Sequence, residues 1–110
     1  MMRDVQPAVG QVVTVFRNRL RADAQPAYGE ELVVVAQLAR SMAGFVETKT
    51  FTADDGERCT VVTFADEASH AAWRDHPRHR EAMRNGAASY YETYSVAVGT
   101  TSSASAFARA

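Results

Sequence analysis

The stretch that decides the fold comprises residues 44–82 and reads GFVETKTFTADDGERCTVVTFADEASHAAWRDHPRHREA. Residues 45–53 and 57–65 are rich in β-branched and aromatic side chains, which favour strands. Between them, residues 54–56 read Asp-Asp-Gly, a sequence typical of tight turns between paired strands. The first half of the stretch therefore predicts an antiparallel β-hairpin.

The second half of the stretch predicts a helix that is interrupted once. Asp66 is a favourable N-cap for a helix that carries Trp73. Pro77 lacks an N–H group and clashes with the carbonyl group four residues earlier, so a regular helix cannot continue through it. Because proline is favoured at the first position of a helix, we expect a second helical segment to begin after His76.

The segment before the hairpin predicts a strand and a helix. Residues 11–20 (QVVTVFRNRL) alternate as a strand does, and apolar side chains on both of its faces indicate that both are covered. One face carries Val12, Thr14, Phe16 and Asn18, and the other carries Val13, Val15 and Arg17. The helix is expected to have Asp23 as its N-cap, Pro26 in its first turn and Gly44 just after its end. Its apolar face is predicted from steps of four and three residues, at Tyr28, Leu32, Val35, Ala39 and Met42.

With a last strand at residues 90–98 (YYETYSVAV), the predicted order of elements is βαββαβ. This order is the ferredoxin-like split-βαβ motif of the α+β class, in which an antiparallel sheet carries the helices on one face. The opposite face would expose Val13, Val15 and Val61. We therefore expect a second copy of the chain to cover this face and to complete a dimeric α+β barrel.

Length and composition indicate one globular domain, because 110 residues with 46% apolar and 23% charged side chains are too few for two cores. We assign residues 11–99 to it, residues 1–10 to a loose leader and residues 100–110 to a tail that is flexible or lies on the partner. A net charge of −1 gives no reason to expect binding to nucleic acid or to an anionic membrane. Cys59 is the only cysteine, and neither a signal peptide nor a membrane span is evident, so we predict a cytoplasmic protein.

Metal and nucleotide chemistry have little support in the sequence. His76 and His79 lie three residues apart, but a metal site normally needs three or four ligands. We expect both histidines to be exposed where the helix restarts. The glycine-rich motifs of nucleotide sites and the hydrolase G-x-S-x-G motif are missing from the sequence. We therefore predict that the protein holds neither a metal nor a cofactor.

Asn18, His70 and Trp73 form a candidate polar and aromatic set. Asn18 ends the first strand, where it either forms a turn or points into the space between sheet and helices. Trp73 either packs in the core or closes the same space, and His70 lies one helical turn earlier. Together these side chains predict a pocket for a flat ligand.

Several segments of the chain resemble the antibiotic biosynthesis monooxygenase (ABM) domains. The resemblance spans about residues 11–99, and its fold and dimeric state agree with those expected above. It rests on residues 16–20 (FRNRL), 44–46 (GFV), 55–57 (DGE), 72–74 (AWR), 76–80 (HPRHR) and 90–94 (YYETY).

Two branches of this family are relevant to function. One degrades haem with an Asn at the end of the first strand, a Trp on the second helix and a His further along that helix. Asn18 and Trp73 match the first two, but the expected iron ligand falls near Met83, which argues against haem degradation. The other branch oxidises polycyclic phenols to quinones without a cofactor. Its substrate-positioning residues correspond here to Thr60, Phe64 and His70, where an Asn, a Trp and a Tyr are typical.

The resemblance implies a cofactor-independent monooxygenase that uses molecular oxygen on a hydrophobic aromatic or polyketide-like phenol. We predict His70 as the base, Asn18 as a hydrogen-bond donor and Trp73 as the third member of the catalytic set. The predicted substrate-binding residues are Phe16, Tyr28 and Phe64. The alternatives are a non-oxidative polyketide cyclase or ligand-binding protein of the same superfamily, and a haem-binding protein.

Overall fold

The computed structural model describes residues 6–109, which form a four-stranded antiparallel sheet and three α-helices. The strands are β1 (Val12–Leu20), β2 (Phe45–Thr52), β3 (Arg58–Phe64) and β4 (Tyr91–Thr100). The helices are α1 (Ala27–Ser41), α2 (Glu67–Arg74) and α3 (Pro77–Asn85), and a π-helical turn (Gly86–Tyr90) precedes β4. The sheet order is β2-β3-β1-β4. The predicted ferredoxin-like α+β fold is therefore confirmed.

The predicted hairpin joins β2 and β3 through a three-residue turn. The Gly56 N–H donates to the Ala53 carbonyl at 2.9 Å, and the Ala53 N–H donates to the Glu57 carbonyl at 2.8 Å. Gly56 has a φ of +89°, a backbone conformation that glycine adopts without strain. The Asp55 carboxylate accepts from the Glu57 N–H at 3.0 Å, which adds a local reason for the chain to turn here.

The predicted interruption between α2 and α3 is also confirmed. The Asp66 carboxylate accepts from the Ser69 N–H at 2.8 Å and caps α2. Pro77 is the first residue of α3, and the imidazole of His76 accepts from the Arg78 N–H at 3.1 Å. Both helices are thus started by side chains that satisfy free backbone N–H groups.

The predicted start and end of α1 need correction. Asp23 is not the N-cap, because its carboxylate lies 3.3 Å from Arg21 and the helix begins four residues later, at Ala27. The Gln25 side chain accepts from the Gly29 N–H at 3.1 Å in the first turn. Gly44 has a φ of +81° but lies two residues beyond the C-cap, Met42, instead of next to it.

The helices cover one face of the sheet incompletely. The main hydrophobic cluster beneath them consists of Ala39, Val62, Phe64 and Trp73. Val98 pairs with Thr14 and therefore lies on the same face, yet it is 51% exposed because β4 is an edge strand. The face opposite the helices carries Val13 and Val15, as predicted, and both are partly exposed in the single chain. Within residues 6–109, no helix is both long and apolar enough to cross a membrane.

Candidate active site: an aromatic-lined cavity between helices and sheet

A cavity of about 350 Å³ lies between the helices and the sheet. Small-molecule sites in proteins typically span about 300–1,000 Å³ and are mostly apolar, as this one is. Aromatic rings line it in two clusters of neighbouring side chains. One cluster comprises Phe16, Tyr28 and Tyr91, and the other comprises His70, Trp73 and His79.

Trp73 belongs both to the hydrophobic core and to the cavity wall. Its ring centroid lies 5.3 Å from that of Phe64, beneath it, and 4.2 Å from that of His79. Its indole Nε1 is buried and has no hydrogen-bond partner within residues 6–109. A buried donor without a partner is costly, so a ligand oxygen that reached this enclosed N–H would be stabilised by the contact. Trp73 therefore contributes to the core and to the cavity wall, and its role toward a ligand stays a prediction.

Tyrosines dominate the second aromatic cluster of the cavity wall, which also contains Phe16. The Tyr91 ring lies 5.3 Å from Phe16 and 5.9 Å from Tyr28, both in edge-to-face geometry. The guanidinium of Arg58 lies 5.3 Å from the centre of the Tyr28 ring. Burial raises the pKa of the Tyr91 hydroxyl above its ordinary value, so this group remains a neutral donor at pH 7.

His70 lines the cavity but is 97% buried, with only 3% of its surface exposed. Its Nε2 lies 3.3 Å from the Thr14 hydroxyl, a contact that joins α2 to β1. Its Nδ1 is buried and has no partner in the described part of the chain. Because the hydroxyl both donates and accepts, this contact leaves the tautomer of His70 open.

His79 departs from the prediction that it would be exposed. It is half-buried, lines the cavity and stacks on Trp73, because the restart at Pro77 lays the first turn of α3 over the indole ring. Its Nδ1 lies 3.2 Å from the carbonyl oxygen of Arg74. Desolvation by burial lowers the pKa of His79 from its ordinary 6.5. No sequence pattern predicts this position, since Trp73 and His79 belong to two different helices.

Two predicted site residues do not line the cavity. Phe64 is fully buried under Trp73, so the predicted direct contact of Phe64 with a substrate is not supported by the geometry. Asn18 is 1% exposed, and neither atom of its amide has a partner within residues 6–109. It pairs with Arg58 on β3 and Tyr94 on β4. The other predicted site residues, Phe16, Tyr28, His70 and Trp73, line the cavity, and their roles toward a substrate stay predictions.

An ion pair between α1 and α3 forms part of the cavity wall, and the sequence analysis did not predict it. Glu31 lines the cavity, pairs with Arg78 and accepts from the Asn85 amide at 2.8 Å. The hydrogen bond from Arg78 lowers the pKa of Glu31, so its carboxylate is ionised at pH 7 and already engaged. Its partners are 47 and 54 residues away in sequence, beyond the reach of any spacing pattern. Among the described residues there is no group of three or more His, Cys, Asp or Glu placed to hold a metal ion.

Comparisons with known proteins point to one family. The family model described as antibiotic biosynthesis monooxygenase matches residues 11–85. Rv0793 from Mycobacterium tuberculosis superposes with a TM-score of 0.76 at 16% identity, over 88% of this chain and 100% of that one. SnoaB, a cofactor-independent oxygenase from Streptomyces nogalater, gives a TM-score of 0.70 at 14% identity, over 86% of this chain and 95% of that one.

A third similar structure is a dabb family protein with a ferredoxin-like fold from Mesorhizobium loti. Its TM-score is 0.66 at 16% identity, over 84% of this chain and 97% of that one. No curated protein matches the chain in sequence. At identities of 14–16%, the structural likeness establishes the fold but not the reaction.

Proposed function

The chain belongs to the antibiotic biosynthesis monooxygenase family, and we propose that it is a cofactor-independent monooxygenase for a flat aromatic phenol of the polyketide type. The observation that carries this proposal is the cavity itself. It is about 350 Å³ in volume, and its wall includes two clusters of aromatic rings, which are suited to contact a planar aromatic molecule. The likeness to SnoaB, an oxygenase that needs no cofactor, supports the same chemistry.

The reaction needs no external reductant because the substrate supplies the electrons. An electron-rich phenolate transfers an electron to O₂, and the two radicals combine to form a C–O bond. The peroxide formed in this way takes up the phenolic proton, and loss of the C–H proton from the same ring carbon breaks the O–O bond. One oxygen atom stays on that carbon as a quinone carbonyl, and the other leaves as water with both protons. The protein has to orient the phenol, exclude solvent, accept the phenolic proton and stabilise the negative oxygen.

Buried hydrogen-bond donors without partners are suited to stabilise the negative oxygen of the substrate. Trp73 Nε1 is such a donor in the cavity wall, so we assign to it the hydrogen bond to a substrate oxygen. The Asn18 amide is a second donor without a partner within residues 6–109, and we keep it as a proposed hydrogen-bond donor although it does not line the cavity. The contact with Thr14 holds the imidazole of His70 beside the indole of Trp73, and we assign to His70 the role of keeping that indole in place.

Trp73→Phe is expected to lower turnover by about 100- to 1,000-fold, the range for loss of one donor to a developing oxyanion. The change keeps most of the ring volume, so the free energy of unfolding should fall by less than about 1.5 kcal/mol. Oxygen uptake with a dihydroxyaromatic substrate measures the first effect, and thermal melts measure the second. Val33→Ala, at an exposed position of α1, is the control. Wild-type turnover per folded molecule in Trp73→Phe would restrict this residue to core packing.

The alternatives differ in what they consume or bind. A polyketide cyclase or a ligand-binding protein with this cavity takes up no oxygen, so oxygen-electrode traces separate it from the proposed enzyme. Haem binding is the third candidate. Met83 lines the cavity at the position where the resemblance places a haem ligand, and His79, one helical turn earlier, also lines the cavity. An absorbance titration with haem tests this, since an axial histidine produces a Soret shift.

We further propose that the chain works as a homodimer joined through the sheet face opposite the helices. Val13, Val15 and Val61 lie on that face, and β1 and β3 bring them side by side. Light scattering coupled to size exclusion is expected to give about twice the mass of the chain. Val15→Arg should shift the mass to that of a monomer, whereas Val33→Arg on exposed α1 should not. A wild-type protein that stays monomeric at micromolar concentration would contradict the proposal.

A further inference from the structure

We propose that Nε2 of His79 is the atom that accepts the proton from a phenol bound in the cavity. The inference rests on the proposed function for its role in oxidation, but the proton transfer is testable without oxygen. It replaces the prediction that His70 is the base.

The hydrogen bond of His79 to the backbone determines which of its nitrogens is basic. Nδ1 lies 3.2 Å from the carbonyl oxygen of Arg74, and a carbonyl only accepts hydrogen bonds. In the neutral ring the proton is therefore on Nδ1, and the lone pair is on Nε2. Nε2 makes no hydrogen bond within residues 6–109 and is not among the fully buried polar atoms. Stacking on Trp73 at 4.2 Å holds the ring in place at the cavity wall.

The other basic candidates in the cavity wall are engaged or enclosed. Nε2 of His70 contacts the Thr14 hydroxyl, and its Nδ1 is buried. The carboxylate of Glu31 accepts hydrogen bonds from Arg78 and Asn85, which hold its pKa low. Among the described residues that line the cavity, His79 combines a free lone pair with partial exposure.

The surroundings of His79 keep it neutral at pH 7. Burial is the main cause that lowers its pKa from 6.5, and the nearby His70 and His76 act in the same direction, against the hydrogen bond to Arg74. The charged and titratable groups that line the same cavity are Glu31 and Arg40 of α1, Lys49 of β2, Arg74 of α2, and Tyr28, Tyr90 and Tyr91. Since the basic form exists above the lowered pKa, proton transfer is expected at pH 7 and lost as the pH falls below that value.

The proton transfer balances without a further reactant. The phenolic O–H bond breaks, its electron pair stays on the phenolate oxygen, and the proton forms a bond to Nε2. The resulting imidazolium keeps its Nδ1 hydrogen bond to Arg74 and lies beside the phenolate, where the attraction between opposite charges is strong because water is scarce. During turnover the same proton passes to the peroxide, and the proton lost from the oxidised ring carbon completes the water molecule.

The first test uses 4-nitrophenol, whose visible band appears only when it ionises. We expect wild-type protein to bind it at pH 7 and to raise the fraction that is ionised, and His79→Gln to bind it in the neutral form. Val33→Ala is the control and should leave the band unchanged, because Val33 is exposed on α1 and does not line the cavity. An unchanged band in His79→Gln, or a band that depends on His70 instead, would overturn the proposal.

The second test covers the case in which His79→Gln folds poorly. Nitrogen-15 NMR of wild-type protein is expected to show His79 with its proton on Nδ1 and a pKa below 6.5. A proton on Nε2 would overturn the proposal, because no lone pair would then face the cavity.

Oxygen uptake separates this inference from the proposed function. His79→Gln is expected to lower turnover by about 100- to 10,000-fold, the usual contribution of a positioned general base. If wild-type protein ionises the probe but consumes no oxygen with dihydroxyaromatics, the oxygenase proposal fails and the assignment of the base stands. If oxygen is consumed equally by wild-type protein and by folded His79→Gln, the base assignment fails and the oxygenase proposal stands.

Discussion

Phe64→Ala is expected to lower the free energy of unfolding by about 3–5 kcal/mol, the usual range for truncating a buried aromatic side chain. Phe64 is fully buried and contacts the rings of Phe45 and Trp73 at centroid distances of 5.8 and 5.3 Å. Removal of its ring leaves a void between β3 and the indole ring of Trp73 on α2. We expect the surrounding structure to fill this void only in part. Since small domains are stable by only about 5–15 kcal/mol, much of the native stability depends on this one side chain.

Urea unfolding at equal protein concentrations measures this effect, because a dimer would make stability depend on concentration. Val33→Ala removes apolar atoms from a position that is 56% exposed and should change stability by less than about 0.5 kcal/mol. Equal stability losses in the two variants would mean that Phe64 is not the centre of the core. The same series tests the site, because a void beneath Trp73 should also weaken binding of an aromatic ligand.

Gly44→Ala is expected to lower the free energy of unfolding by about 2–5 kcal/mol for two independent reasons. A φ of +81° costs about 1–2 kcal/mol for a residue with a Cβ atom. That Cβ atom would also lie 2.4 Å from both Cβ and Oγ of Ser69, and overpacking typically costs about 1–3 kcal/mol. The chain cannot easily move away, since the Gly44 carbonyl accepts from the Ala65 N–H at 2.7 Å and Ser69 is part of the cap of α2.

Gly56→Ala is the matched control for this prediction. Gly56 has a similar φ of +89°, but a Cβ atom there would meet nothing within 4 Å. It should therefore show the conformational cost alone, about 1–2 kcal/mol. The difference between the two variants, read from urea unfolding, isolates the contact with Ser69. Equal losses in both variants would show that α2 shifts freely and that the close approach at Gly44 carries no stability.

The side chains of the candidate site have different proposed roles. In the proposed enzyme, the two aromatic clusters would select a planar molecule, and Trp73 Nε1 would donate a hydrogen bond to the developing oxyanion. His79 offers a lone pair on the same wall, and the contact between Glu31 and Arg78 holds α1 against α3. Rigid positioning of this kind is the main contribution that a protein can make when substrate and oxygen react without a cofactor.

The sequence by itself determined the elements and their order, because the signals for them are local. The turn at Gly56, the cap at Asp66 and the restart at Pro77 each depend on backbone chemistry within a few residues. The alternation along β1 correctly placed Val12 and Thr14 on the buried face. The same local reasoning failed at Asp23, where an ion pair with Arg21 and the capping of the first turn by Gln25 were not visible in the residue types.

Only the tertiary structure decided which side chains form the site. Sequence reasoning selected Asn18 and Phe64 for direct contact with a substrate, but both are buried and neither lines the cavity. It assigned His79 to the surface, although the direction of α3 after Pro77 stacks that ring on Trp73. The physical reason is that burial and contact depend on how elements pack across the chain. The pairing of Glu31 with Arg78 and Asn85 has no local signal, because those partners meet only after the sheet has brought α1 and α3 together.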